Sequence, residues 1–123
     1  MKILVADDSE FLRGRLAKYL ARQGYEVIQA GDGEQAIRLC RFEQPEAAFL
    51  DIVMPGKSGL EALKEIRAVS PATRVVVFSS LGHEGIIAEA MRLGAVDFII
   101  KPVTPEQLEA KLKQIFAGRE EQK

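Results

Sequence analysis

The sequence is short of the residues that mark disulfide-bonded, zinc-binding or base-stacking proteins. Among 123 residues there is one cysteine and no tryptophan, and aromatic residues make up 7%. One cysteine can form neither an internal disulfide nor a cysteine-rich zinc site. Cys40 lies in a helical pattern and is predicted to be a small core residue. Sparse aromatic side chains leave no expected platform for stacking nucleic-acid bases.

An excess of one charge and a long apolar run are also missing. Lys and Arg number 17 against 18 Asp and Glu, so no basic face for nucleic acid is expected. No apolar run approaches the roughly 18 residues that suggest a membrane span. Acidic residues directly follow the first apolar run, without the small-residue cleavage site of a signal peptide. We therefore expect a cytoplasmic protein.

What the chain does contain is a regular alternation of two patterns, in a length that suits one domain. Short apolar runs predict strands at 2–6, 25–30, 47–50, 74–78 and 96–100. Amphipathic segments follow each strand. The apolar face of the first helix is predicted from Phe11, Leu12, Leu16, Tyr19 and Leu20. Thr104 and Gln107 predict a capping box on the last helix. This alternation predicts an α/β fold, a parallel sheet covered by helices on both faces.

Polar side chains follow four of the predicted strands where each strand ends. They are Asp7 and Asp8, Asp51, Ser79, and Lys101. Because the carboxyl ends of parallel strands lie along one edge, we expect these groups to converge there. Each alone is also typical of a cap or a turn; their joint placement indicates a site.

The chemistry of such a cluster is restrictive. Three neighbouring carboxylates repel one another, so either pKa values rise or a cation enters. Oxygen ligands suit Mg²⁺, which also binds phosphate oxygens. Lys101 and Ser79 are suited to contact phosphate, and phosphoryl transfer depends mainly on positioning and charge stabilisation. An aspartate would then be the nucleophile.

The chain resembles the receiver domains of two-component response regulators, and it is most similar to their single-domain chemotaxis, CheY-like type. The matching motifs are LVADDS, FLDIVMPGKSGLE, VVVFSS and GAVDFIIKPV. The resemblance covers 1–118, expected to be the receiver domain, followed by a charged tail at 119–123. It implies a doubly wound, flavodoxin-like sheet of order 2-1-3-4-5.

The resemblance also implies roles for individual residues. Asp51 would accept the phosphoryl group. Asp8, Asp51 and the backbone carbonyl of Val53 would bind Mg²⁺ (or Mn²⁺), and Asp7 would act through water. Ser79 and Phe98 would form the switch pair and Lys101 would bind phosphate. The peptide bond before Pro102 would be cis.

As a function, the resemblance implies a phosphorylation-controlled switch for chemotaxis or a phosphorelay. It would not be an enzyme, although it would assist its own phosphorylation and dephosphorylation. A sensor histidine kinase would phosphorylate it, and a downstream protein would bind the face of the fourth helix, fifth strand and fifth helix. Direct nucleic-acid or membrane binding is not expected. The chain would be a monomer or a weak homodimer.

Three other interpretations have to be weighed. The chain could be the receiver of a longer regulator with a DNA-binding or enzymatic output domain. A flavodoxin-like cofactor binder, or a phosphatase of similar sheet order, is disfavoured because GxGxxG and Walker patterns are missing and the first loop is acidic. A receiver that only scaffolds is disfavoured by the complete acidic set.

Two residues depart from the polar groups that family members often carry. Val53 and Leu81 are apolar at places near the path of the hydrolytic water, which predicts a long-lived phosphoryl group. His83, the only histidine, is interpreted as a solvated or capping residue.

Overall fold

The structure, a computed structural model, describes residues 1–80, 82 and 84–117. Five strands and five helices alternate in this part of the chain. The strands are β1 Lys2–Ala6, β2 Glu26–Ala30, β3 Ala47–Asp51, β4 Arg74–Ser79 and β5 Asp97–Ile100. The helices are α1 Glu10–Arg22, α2 Gly33–Glu43, α3 Gly59–Val69, α4 Glu84–Arg92 and α5 Pro105–Ile115.

The strands form one sheet in the order β2-β1-β3-β4-β5. Every neighbouring pair is parallel. The strand order reverses next to β1, so the crevice between the carboxyl ends of β1 and β3 is where a doubly wound sheet binds ligands. The predicted fold class and strand order are confirmed.

Two apolar layers hold the helices on the sheet. Side chains of α2, α3 and α4 cover one face, and Cys40 is fully buried there, as predicted. Side chains of α1 and α5 cover the other face. The central strand β3 is buried along its whole length, as expected for a strand with helices on both sides.

The predicted caps form, and element ends differ from prediction by one residue. Ser9 caps α1, and Thr104 and Gln107 form the predicted capping box on α5. Asp51 and Ser79 are the last residues of their strands rather than loop residues, because each still pairs with the neighbouring strand.

The prediction for Phe11 was wrong. Its side chain is 81% exposed, while Leu16 and Leu20 are buried. In an α-helix, residues four apart share a face, which places Phe11 with the exposed Arg15 and leaves Leu12 to begin the buried face. The apolar face of α1 therefore starts one residue later than predicted.

Some expectations concern residues outside the described part of the chain. They include Leu81, His83, the domain boundary at 118 and the tail at 119–123. Within the described residues, none of the helices has the length and apolar character needed to span a membrane.

Candidate functional site at the carboxyl edge of the sheet

The strand ends bring the predicted polar residues to one edge of the sheet. Asp51 and Ser79 end β3 and β4, Asp7 and Asp8 follow β1, and Lys101 follows β5. Asp7 and Ser79 are 0% exposed and Asp51 is 2% exposed. The parallel register therefore collects polar groups from distant parts of the chain into one cluster, in which Asp7, Asp51 and Ser79 are buried.

Lys101 is the cation of this cluster. Its Nζ atom lies 2.9 Å from Oδ2 of Asp51 and 3.2 Å from Oδ2 of Asp7. The ammonium also lies 5.4 Å from the centre of the Phe78 ring, and the Lys101 backbone N–H donates to the Ser79 carbonyl at 2.8 Å. The Lys101–Pro102 peptide bond is cis, as the resemblance implies.

Three carboxylates face one another across the edge. Asp7, Asp8 and Asp51 each offer an oxygen within 4.8 Å of the other two. One oxygen of each buried carboxylate is held by backbone: Ser9 N–H donates to Asp7 Oδ1 at 2.8 Å, and Val53 N–H donates to Asp51 Oδ1 at 3.2 Å. These contacts direct the other oxygens toward the centre of the cluster.

The remaining buried oxygen, Asp7 Oδ2, is incompletely satisfied. It accepts no hydrogen bond from the described residues, although Lys101 Nζ lies 3.2 Å away. The ammonium is close enough for attraction but is better aligned with Asp51, to which it does donate. A buried carboxylate oxygen that has an ion pair but accepts no hydrogen bond is still costly, so the geometry favours an added cation or water at this place.

The electrostatics of the pair follow from burial. Burial raises the pKa of Asp51 above its ordinary value; Lys101 lowers it, but not enough to offset burial and the nearby Asp7. For Lys101, burial lowers the pKa, and the ion pairs with Asp51 and Asp7 outweigh it, so its pKa is raised. The ammonium therefore stays charged at neutral pH, and the Asp51 carboxyl holds its proton more tightly than an exposed carboxyl does.

The composition of the site fits a divalent cation. Three carboxylates and one ammonium leave a formal charge of −2, and all the converging free ligand atoms are oxygens. Hard oxygen ligands with one or two carboxylates match the requirements of Mg²⁺. A neutralised site of this kind could admit a phosphoryl group beside Lys101.

The structure places the other predicted residues around this cluster. Phe98 is half-buried and packs against the apolar layer under α2, α3 and α4. Val53 is 52% exposed. Leu81 lies outside the described residues, so its position relative to Val53 stays a prediction.

Two contacts at the site were missed in the sequence analysis. Arg13 Nη1 donates to the backbone carbonyl of Asp7 at 2.8 Å. Gly59 packs directly on the backbone of Asp51. The sequence could have indicated the Arg13 contact, because an arginine lies early in the helix that follows the acidic pair. Side chains in an α-helix point back toward its N-terminus, which here is the end next to Asp7.

Comparison with known proteins gives a consistent result. The model of the response regulator receiver domain matches residues 3–113. The chemotaxis protein CheY of Thermotoga maritima is 33% identical over 93% of this chain and 96% of its own length.

Two solved structures are similar over nearly the whole chain. One is a response regulator protein from Burkholderia pseudomallei with a phosphorylated aspartic acid, calcium ion and citrate; it is 30% identical, with a TM-score of 0.86 over 98% of this chain and 72% of that one. The other is the CheX–CheY–BeF3–Mg²⁺ complex from Borrelia burgdorferi, 28% identical with a TM-score of 0.87 over 94% and 89% of the two chains. The chain therefore belongs to the response regulator receiver domains, the phosphorylation switches of two-component systems.

Proposed function

We propose that Asp51 is the phosphoryl acceptor of this switch. The observation that carries the proposal is the position of its carboxylate, which is buried and lies 2.9 Å from the Lys101 ammonium among two further carboxylates. An Asp51 oxygen would attack the phosphorus of a phosphohistidine on a sensor kinase. The P–O bond forms as the P–N bond breaks, and the electron pair leaves with the imidazole nitrogen, which takes up a proton.

The residues proposed to hold Mg²⁺ are Asp8, Asp51 and the Val53 backbone carbonyl, with Asp7 acting through water. The support is the formal charge of −2 and the unsatisfied Asp7 oxygen. When bound, Mg²⁺ would offset the negative charge that builds up as acceptor and phosphoryl oxygens meet. Asp51 Oδ1 accepts from the Val53 N–H, so Oδ2, which accepts from Lys101 at 2.9 Å, would be the attacking oxygen.

Lys101 and Ser79 are proposed to bind the transferred phosphoryl group. Lys101 is charged and already within ion-pair distance of the acceptor, so it can contact a phosphoryl oxygen with a short movement. Ser79 is buried at the end of β4, and its hydroxyl can donate to another oxygen. The phosphoryl group adds nearly two negative charges and three acceptor oxygens, which draws both side chains toward Asp51.

Phe98 is proposed to transmit this change to a binding surface. It is half-buried on β5, in register with Val77, two residues before Ser79 in the chain. A movement of Ser79 would change the space into which the ring can turn. Met91 on α4, Val96 just before β5 and Ile100 at the end of β5 are large exposed apolar side chains, which suits contact between this region and a downstream protein.

We further propose that this switch serves chemotaxis-type signalling. The support is the likeness to the T. maritima protein named chemotaxis protein CheY, almost all of which the chain covers. Phosphotransfer from purified histidine kinases of the same genome tests this: the chemotaxis kinase should be the fastest donor, and faster transfer from another kinase would contradict it.

The decisive test of the acceptor is intact-mass analysis after incubation with Mg²⁺ and a small phosphodonor. One phosphoryl group should be added to the wild type and none to Asp51→Asn. Asp32→Asn is a matched control, because Asp32 caps α2 and is not one of the three clustered carboxylates, and asparagine caps a helix equally well. Phosphorylation that persists in Asp51→Asn, or that is lost in Asp32→Asn alone, would contradict the proposal.

A further inference from the structure

Arg13 connects three elements beneath the acid cluster. Its Nη1 atom donates to the backbone carbonyl of Asp7 at 2.8 Å, and its Nε atom donates to Oε1 of Gln29 at 3.2 Å. The side chain therefore joins α1, on which it lies, to the end of β1 and to β2. Unlike the exposed Arg15 two residues later, it is partly buried.

With the Arg13 contact, the backbone N–H, the backbone carbonyl and one carboxylate oxygen of Asp7 are all hydrogen-bonded. Its N–H donates to the Ala30 carbonyl at 3.1 Å, and its Oδ1 accepts from the Ser9 N–H at 2.8 Å. Arg13 supplies the hydrogen bond to the remaining backbone group, the carbonyl. Because a peptide unit is planar, holding the Asp7 carbonyl also fixes the orientation of the Asp8 N–H and Cα.

Asp8 has no comparable support of its own. Its side chain is exposed, and no described residue donates a hydrogen bond to its carboxylate. The direction in which Asp8 leaves the backbone is therefore set by the peptide plane that Arg13 holds.

We propose that Arg13 is a positioning residue for the metal site, which orients Asp8 toward Asp7 and Asp51 by holding the Asp7 carbonyl. The proposal rests on the metal site of the proposed function. Groups that orient a ligand from outside the metal's own ligand shell typically change metal affinity about 10-fold or more when removed.

The positive charge of Arg13 should affect Mg²⁺ affinity in the opposite direction from its positioning role. The direction of the change in affinity therefore distinguishes the two effects. A guanidinium beside a cation site repels the cation. If charge dominated, the neutral Arg13→Gln variant would bind Mg²⁺ more tightly and the charged Arg13→Lys variant would bind as the wild type does. Positioning predicts weaker binding in both, since neither side chain reproduces the two hydrogen bonds in the geometry of the guanidinium.

The test is calorimetric titration of the unphosphorylated protein with Mg²⁺ alone. We expect the dissociation constant to rise about 10-fold in Arg13→Gln and also to rise in Arg13→Lys. Arg15→Gln is the control, because Arg15 is exposed and makes no hydrogen bond or ion pair with described residues; its dissociation constant should change by no more than about twofold, since exposed charges are screened.

A second variant perturbs the same contact without removing the arginine. A Cβ atom on Gly31 would lie 3.3 Å from Arg13 Nη1, so the guanidinium would have to shift by a few tenths of an ångström. Gly31→Ala should weaken Mg²⁺ binding in the wild-type background and add little in the Arg13→Gln background, because both changes act on one contact. Additive effects of the two substitutions would overturn the coupling.

Three results separate this inference from the proposed function. In the Arg13 variants, saturating Mg²⁺ should restore the wild-type rate of phosphorylation, a rescue that general damage to the fold would not allow. If the wild type and Asp8→Asn bind Mg²⁺ equally, the proposed metal site is wrong, and the role of Arg13 is wrong with it. If Asp8→Asn loses binding but Arg13→Gln binds as tightly as the wild type, only the role of Arg13 is overturned.

Discussion

Gly59 and Asp51 are packed backbone against backbone. A Cβ atom on Gly59 would lie less than 3 Å from the Asp51 carbonyl oxygen, a separation that real Cβ atoms do not adopt. The Gly59 N–H donates to the Ile52 carbonyl at 2.7 Å, so the first residue of α3 seals the turn that follows the proposed acceptor. The position of Asp51 therefore depends on a missing methyl group as well as on charged neighbours.

Gly59→Ala should destabilise the protein strongly. The new methyl group meets backbone, which cannot rotate away, so the cost should reach the upper end of the range for overpacking, about 3 kcal/mol. Gly14→Ala is the matched control, since a Cβ atom there meets nothing within 4 Å and alanine favours the helix by roughly 0.5–1 kcal/mol. Urea unfolding measures both; equal stabilities of the two variants would contradict the packing argument.

Mg²⁺ should stabilise the folded protein by mass action. At a concentration about 100 times the dissociation constant, binding adds about 2.7 kcal/mol to the free energy of unfolding, which for a domain of this size raises Tm by roughly 10 °C. Chelation with EDTA should reverse the shift. Asp8→Asn should remove most of it, and a shift of wild-type size in that variant would place the cation elsewhere.

The burial of Asp51 predicts a pH dependence that can be measured without Mg²⁺. Its folded-state pKa lies above the ordinary 3.8, so the folded protein holds this proton more tightly than the unfolded chain does. The stability that protonation provides is present below 3.8 and is lost as pH rises through the folded-state pKa. Lys101 remains charged throughout this range, so it does not contribute to the pH dependence of the free energy of unfolding.

Asp51→Asn removes this titration, so its stability relative to wild type should increase as pH rises from about 3 toward 7. The measurement is thermal unfolding of both proteins in EDTA at a series of pH values. If the stabilities of the two proteins change in parallel with pH, burial does not raise the pKa of the Asp51 carboxyl.

A buried polar network far from the acid edge offers a test of stability alone. The Thr73 hydroxyl donates to the Pro45 carbonyl at 2.6 Å and lies 2.5 Å from the Ser70 hydroxyl. Thr73→Val removes this hydroxyl and leaves the Pro45 carbonyl and the Ser70 hydroxyl without its hydrogen bonds. The free energy of unfolding measured in urea should fall by about 1–3 kcal/mol. Phosphorylation at saturating Mg²⁺ should be unchanged, because the network lies at the opposite end of the strands; a slower rate would reveal coupling across the sheet.

The fold was predictable because its signals are local. Apolar runs, caps and turn residues repeat in a fixed order, and parallel pairing then places every strand end at one edge. The convergence of Asp7, Asp51 and Lys101 follows from that topology, so no contact had to be known beforehand. The exposed Phe11 was mispredicted because an apolar residue at the start of a helix fits either of two adjacent faces.

The two contacts that were not predicted depend on how the helices pack against the sheet rather than on residue type. Nothing local to Arg13 says that its guanidinium reaches the Asp7 carbonyl, since that contact requires the packing angle of α1 on the sheet. The closeness of Gly59 to Asp51 likewise depends on the path of the loop between β3 and α3. Such contacts become visible only when the elements are assembled.

The lifetime of the phosphoryl group should depend on the apolar residues at 53 and 81. Val53 is 52% exposed two residues beyond the proposed acceptor, where a valine side chain can neither accept nor donate a hydrogen bond to an attacking water. We expect Val53→Asn with Leu81→Glu to shorten the lifetime about 10-fold, equal to a decrease of about 1.4 kcal/mol in the barrier to hydrolysis.

Val96→Asn is the control, because Val96 is a similarly exposed valine, 40% accessible, just before β5. Loss of added mass over time, measured after removal of the phosphodonor, gives the three decay rates. If the double variant decays no faster than the wild type, the slow hydrolysis assigned to these two side chains is wrong, and if Val96→Asn decays as fast as the double variant, the effect does not arise at the site.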